Sequence, residues 1–100
     1  MKPLKPTLRE KNRYVFCIST NKEFKKQIHE KYKELYGKVN YSLAGIKILE
    51  FFEEKDQIKC IIKVKREHLK ELLGCFIFLN TRALIVSGTL KSLKEKINKL

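Results

Sequence analysis

Ile46-Lys47-Ile48-Leu49-Glu50-Phe51-Phe52-Glu53 and Gln57-Ile58-Lys59-Cys60-Ile61-Ile62-Lys63-Val64-Lys65 are separated only by Glu54-Lys55-Asp56, and this stretch decides the fold. Two runs rich in β-branched and aromatic residues, joined by a short polar segment, predict an antiparallel hairpin. Successive side chains of a strand point to opposite faces, so Ile58, Cys60, Ile62 and Val64 share one face of the second run. Gln57, Lys59, Ile61, Lys63 and Lys65 share the other. One face reads as core and the other as basic surface.

Upstream of the hairpin, Phe24, Ile28, Tyr32 and Leu35 recur at spacings of four, four and three, which predicts an amphipathic helix over 22–36. Asn21 is its expected N-cap and Gly37 its stop, followed by a loop through Ser42. Arg13-Tyr14-Val15-Phe16-Cys17-Ile18-Ser19 predicts a central strand. Downstream, 66–79 reads as a helix. Its end, Cys75-Phe76-Ile77-Phe78-Leu79, is apolar on every side and is therefore expected to be buried, within the domain or under a partner. A last strand over 82–86 precedes a helix capped by Thr89, with Leu90, Leu93, Ile97 and Leu100 on one face. The order strand, helix, strand, strand, helix, strand predicts an α+β, ferredoxin-like βαββαβ sandwich. Two helices should cover one face of an antiparallel sheet and leave the other face free. The terminal helix is an addition to that plan. So is a basic extended arm over 1–12, which holds both prolines; 13–100 forms the single expected domain.

The chain has 100 residues and 23 Lys and Arg against 11 Asp and Glu, a net charge of +12. In lysine-rich heat-stable proteins Glu rises together with Lys, whereas here acids lag far behind, so a polyanion is the expected partner. No run approaches the length of a membrane span, and no apolar leader marks export, so a cytoplasmic protein without membrane contacts is expected. Cys17, Cys60 and Cys75 lie far apart without paired spacing, as suits buried reduced thiols better than a zinc site or a disulfide framework.

His29 and His68 have no His or Cys at ligand spacing, and the four glycines form no phosphate loop, so no catalytic or metal-binding residue is assigned. Glu50, Glu53, Glu54 and Asp56 gather at the hairpin tip and make it the acidic pole. Lys59, Lys63 and Lys65 form a row suited to phosphates, continued by Arg66. With only four arginines, backbone and shape recognition is expected over reading of base edges. The third strand lacks the aromatics on which RNA-recognition motifs stack bases, which argues against a module of that kind.

Three stretches in this order carry a resemblance: Arg13-Tyr14-Val15, Ile61-Ile62-Lys63-Val64-Lys65-Arg66-Glu67 and Val86-Ser87-Gly88-Thr89-Leu90-Lys91, preceded by the leader Pro6-Thr7-Leu8-Arg9. Over nearly its whole length the chain resembles the archaeal ribonuclease P protein component 2 family, related to the small eukaryotic subunit of ribonuclease P and its mitochondrial-RNA-processing cousin. The resemblance implies a noncatalytic subunit of the ribonucleoprotein endonuclease that removes 5′ leaders from precursor tRNA. In that particle the RNA, with bound Mg2+, is the catalyst, and this chain would carry no cofactor. It further implies ribonuclease P RNA and ribonuclease P protein component 3 as partners, the latter in a heterotetramer around two copies of this chain, together with other ribonuclease P proteins. Carried over by motif, Arg13, Lys63, Lys65, Arg66 and Lys91 are the implied RNA contacts, with Arg9 of the basic arm and Lys59 of the row on the third strand added to them. Phe76, Ile77, Phe78 and Leu79 are the candidate partner interface. Two rivals come from other classes: a regulatory or oligomerisation module whose charge is incidental, and a metal-dependent nuclease using the hairpin acids.

Overall fold

The structure, a computed structural model, describes residues 11–99; Arg9 and most of the expected arm lie outside the described residues. Four strands, β1 (Asn12–Ser19), β2 (Lys47–Glu53), β3 (Ile58–Lys65) and β4 (Thr81–Ser87), form one antiparallel sheet in the order β2-β3-β1-β4. Helices α1 (Phe24–Tyr36) and α2 (Lys38–Ala44) follow β1. A 3-10 turn (Arg66–His68) leads into α3 (Leu69–Phe78), and α4 (Leu90–Asn98) follows β4. This is the ferredoxin-like arrangement that the sequence predicts.

The core lies between the sheet and α1–α3. Val15 and Cys17 of β1 meet Ile62 and Cys60 of β3 in register. Phe24, Ile28 and Tyr32 of α1, with Leu72, Cys75 and Phe76 of α3, close over them. The three cysteines are buried free thiols. Contact with the Cys60 thiol, and then burial, push the Cys17 thiol up.

Three expectations are corrected. The segment after Gly37 is a helix, not a loop. Gly37, at φ 91°, takes a backbone conformation that suits glycine and breaks α1 from α2. The seven residues of α2 then wind helically because Tyr41 and Ala44, three apart, both turn into the core. Nor is the second face of the sheet free. Leu93 of α4 is fully buried against Phe16 and Ile61, and Tyr14, Leu49, Ile85, Leu90 and Ile97 pack around them. Ile61, expected on the basic surface, is therefore only 2% exposed. Thr89 does cap α4, its hydroxyl accepting from the Ser92 amide at 3.1 Å. The N-cap position falls two residues later than expected, at Glu23, and Asn21 is not the cap; its carboxamide oxygen instead accepts from the Glu23 amide at 2.9 Å.

Candidate nucleic-acid interface

The hairpin register places Lys47 directly opposite Lys63, and β1 places Tyr14 on the other side of Lys63. Lys65 lies one step further along the same face, beyond the hydrogen-bonded end of β2. Its aliphatic stem runs beside Gly45, where an added Cβ would stand 3.6 Å from the Lys65 Cγ and Cε. The Lys65 stem thus lies beside the turn that leads into Lys47. Gly45 sits in the left-handed region at φ 60°, so the turn suits glycine on backbone grounds as well.

The N-terminus of α4 opens at the same end of the sheet. Lys94 pairs with Glu50 of β2. Lys91 precedes Lys94 by three residues and so shares that side of the helix, which looks towards β2 and β3. Arg13 lies at the β1–β4 side: its Nη1 donates to the Asn12 carbonyl at 3.0 Å and rests beside Gly88, just before α4. Arg66 follows β3 directly, and its amide donates to the Lys11 carbonyl, tying the start of β1 to the end of β3. Thus Arg13, Lys63, Lys65, Arg66 and Lys91 gather at one end of the sheet. Among the described residues, Lys47, Lys63, Lys65, Arg66 and Lys91 enter no ion pair. Screened only by solvent, they form a concentrated positive field.

Lys59 is not among them. It lies at the opposite end of β3, 2.9 Å from Glu54 across the hairpin tip. Lys22 reaches the same tip, 3.8 Å from Glu53 and 2.9 Å from the Lys55 carbonyl. Beside it lies an open groove of about 590 Å3, walled by Phe16, Phe51, Phe52 and Ile97 and rimmed by Glu53, Glu54 and Lys59. Three of the hairpin acids, Glu50, Glu53 and Glu54, are thus drawn apart onto separate lysines, Lys94, Lys22 and Lys59. Among the described residues no three His, Cys, Asp or Glu side chains gather to hold a metal ion.

The apolar end of the 66–79 segment divides in two. Phe76 and Leu79 are core residues, each 3% exposed, and Phe76 meets Phe24 edge to face. Ile77 and Phe78 stand out of the domain at 78% and 61% exposure. The Lys31 ammonium lies 5.6 Å from the Phe78 ring centre while pairing with Glu34 at 3.0 Å. His29 sits in the helical layer, and His68 closes the 3-10 turn that Arg66 begins. The Tyr41 hydroxyl is 2.7 Å from His29 Nδ1, and the Tyr32 hydroxyl is 3.2 Å from His68 Nδ1. Burial, then the neighbouring Lys33 charge, lower the His29 pKa, and burial pushes Tyr32 up to about 12.

Comparison with known proteins shows the family. The model of the Rpp14/Pop5 family matches residues 4–98. The chain belongs to the Rpp14/Pop5 family. It is also 35% identical to ribonuclease P protein component 2 of Thermococcus kodakarensis, over 95% of this chain and 89% of that protein. The Rpp14/Pop5 match takes in all four strands, so the basic end of the sheet belongs to the shared domain. Lys47 is the residue that sequence reasoning missed. Its signal was present, because counting back through the three-residue hairpin connection brings it close to Lys63, but the register had to be known to within one residue.

Proposed function

We propose that this protein is a noncatalytic subunit of ribonuclease P, binding the RNA that removes 5′ leaders from precursor tRNA. The observation that carries the reading is the convergence of Lys47, Lys63, Lys65, Arg66 and Lys91, which enter no ion pair among the described residues, at one end of the sheet in a chain of the Rpp14/Pop5 family. Their role is to neutralise phosphates and so stabilise the folded catalytic RNA, which brings its own Mg2+. Lysine dominates this end, so the contacts are point charges to single phosphates, without the bidentate geometry an arginine row would impose. The similarity to component 2 extends the proposal to protein partners: component 3 docks on the other side of the domain, against Ile77 and Phe78, in a heterotetramer around two copies of this chain. Other ribonuclease P proteins complete a cytoplasmic particle.

Reconstitution tests the reading. Precursor tRNA is incubated with ribonuclease P RNA and Mg2+, with and without this protein and component 3. The expected outcome is that the two proteins together lower the Mg2+ needed for cleavage, and that this chain with Mg2+ alone cleaves nothing. If adding the chain leaves cleavage unchanged at every Mg2+ concentration, the proposal fails.

A further inference from the structure

Lys47 and Lys63 face each other across β2 and β3 on the same side of the sheet. Side chains so placed stand roughly 5 Å apart, and like charges there destabilise a sheet. At the other end of the same hairpin an acid accompanies the lysine, Glu54 beside Lys59. The fold thus sets two cations side by side without a carboxylate partner among the described residues, where one carboxylate would relieve them. An anion lying between them removes the cost.

The row does not stop at the pair. In register, Lys63 is followed by Tyr14 of β1, and Tyr14 by Ser87 of β4. Next come Gly88 and the Thr89-capped start of α4, a nine-residue helix with no acidic residue in its first turn, so the positive end of its dipole is uncompensated. At the usual spacing of strands the row spans about 14 Å. The neighbouring row is closed. There Leu93 sits on Phe16 and Ile61, and Lys94 is bound to Glu50. A ligand running lengthwise along β3 from Lys65 would meet Ile61 beneath α4, and beyond it a Lys59 already held by Glu54. The open direction is across the strands.

We propose that an RNA sugar–phosphate backbone crosses the sheet at right angles to its strands, over Lys47, Lys63 and the half-buried Tyr14, towards the Thr89-capped start of α4 and past the buried Ser87. Lys65 flanks it on the outer side and Lys91 on the side of α4. The identity of the RNA rests on the ribonuclease P reading; the direction of the strand is a separate claim about this surface.

The test is a titration of labelled ribonuclease P RNA with the full chain over a series of salt concentrations, beside an unrelated RNA of equal length. Lys47→Ala and Lys63→Ala should each reduce the slope of log affinity against log salt by about 0.7–0.9, the value of one phosphate contact, and Lys59→Ala should leave it unchanged. Lys47→Ala should also melt about 1–4 °C higher than the parent, because it relieves the cross-strand repulsion, so its weaker binding cannot be a folding defect. An unchanged slope for Lys47→Ala, or an equal loss for Lys59→Ala, overturns the transverse path and leaves RNA binding standing. A parent chain that binds both RNAs alike overturns the ribonuclease P reading instead.

Discussion

The two ends of the sheet differ in how each treats its lysines. At the hairpin tip, Lys59 is matched by Glu54 and Lys22 by Glu53, next to an apolar groove. At the opposite end Lys47, Lys63, Lys65 and Lys91 enter no ion pair among the described residues. Both ends are built from the same two strands and the same residue types, so the contrast reflects placement, not composition. A net charge of +12 is a bulk quantity; what a polyanion meets is the part of it left uncompensated on one face. Exposed ion pairs contribute little stability, about 0–1 kcal/mol each, so the pairing at the tip does less to hold the hairpin together than to withdraw its lysines from the field.

The strongest way to break the contrast is to remove what holds α4 in place. Leu93 is fully buried between Phe16 and Ile61 and anchors the helix that carries Lys91. Leu93→Ala should cost about 2–5 kcal/mol of stability, the usual range for truncating a buried leucine. RNA affinity should fall as well, because Lys91 loses its fixed position at the basic end of the sheet, whereas the hairpin tip keeps its ion pairs. Chemical denaturation with RNA titration at a temperature where the variant is folded checks both. A loss of stability with unchanged RNA affinity would separate Lys91 from the basic end.

The contrast is sharpened next at the apolar side. Ile77 is the most exposed large apolar residue of the described chain, at 78%, and Phe78 beside it is 61% exposed. Ile77→Asp should leave the melting temperature within about 2 °C of the parent, since surface substitutions fall within roughly ±0.5 kcal/mol. Its affinity for component 3 should weaken by about tenfold or more, as expected for a central apolar contact, while its affinity for RNA stays the same. Calorimetric titration with component 3 and the RNA assay above measure the two arms. Unchanged binding to component 3 would remove this face from the proposed interface.

How much of this was legible beforehand depends on whether a local pattern or a distant partner set the outcome. Ile58, Cys60, Ile62 and Val64 were readable as core because alternation along a strand is local, and Phe24, Ile28 and Tyr32 because helical spacing is. Ile61 was not, since one isoleucine among lysines looks like surface until α4 folds back over it. Lys59 and Lys63 are equivalent by parity on β3. Only the three-dimensional course of the tip, which brings Glu54 within 2.9 Å of Lys59, tells them apart. Phe76 to Leu79 looked uniform because every side of a helical turn was apolar; the packing of Phe24 against Phe76 decides which side faces inward. α2 escaped notice because seven residues behind a glycine carry too few periodic positions to signal a helix.

The smallest expected effect lies off both ends, in the helical layer. His29 on α1 meets the Tyr41 hydroxyl of α2 at 2.7 Å, and burial followed by the Lys33 charge holds its pKa below the ordinary value of 6.5. The folded state thus takes up a proton on His29 less readily than the unfolded state. As pH falls below about 6.5 the unfolded chain binds that proton first, so stability is complete above this value and declines as pH drops towards the lower folded pKa. Tyr41 joins the core through α2, so the loss should appear as a modest fall in melting temperature between pH 7.5 and 5.5 that is reduced in His29→Gln, where the titrating group is gone. His29 meets Tyr41, which packs into the core on the other face of the sheet from Lys47 and Lys63. The difference in RNA affinity between the two pH values should therefore be the same for His29→Gln and the parent. If the parent and His29→Gln lose stability in parallel on acidification, His29 is not the group responsible. If His29→Gln alters the pH dependence of RNA binding, the helical layer and the basic end are coupled, and the separation of regions drawn from the ion pairs is incomplete.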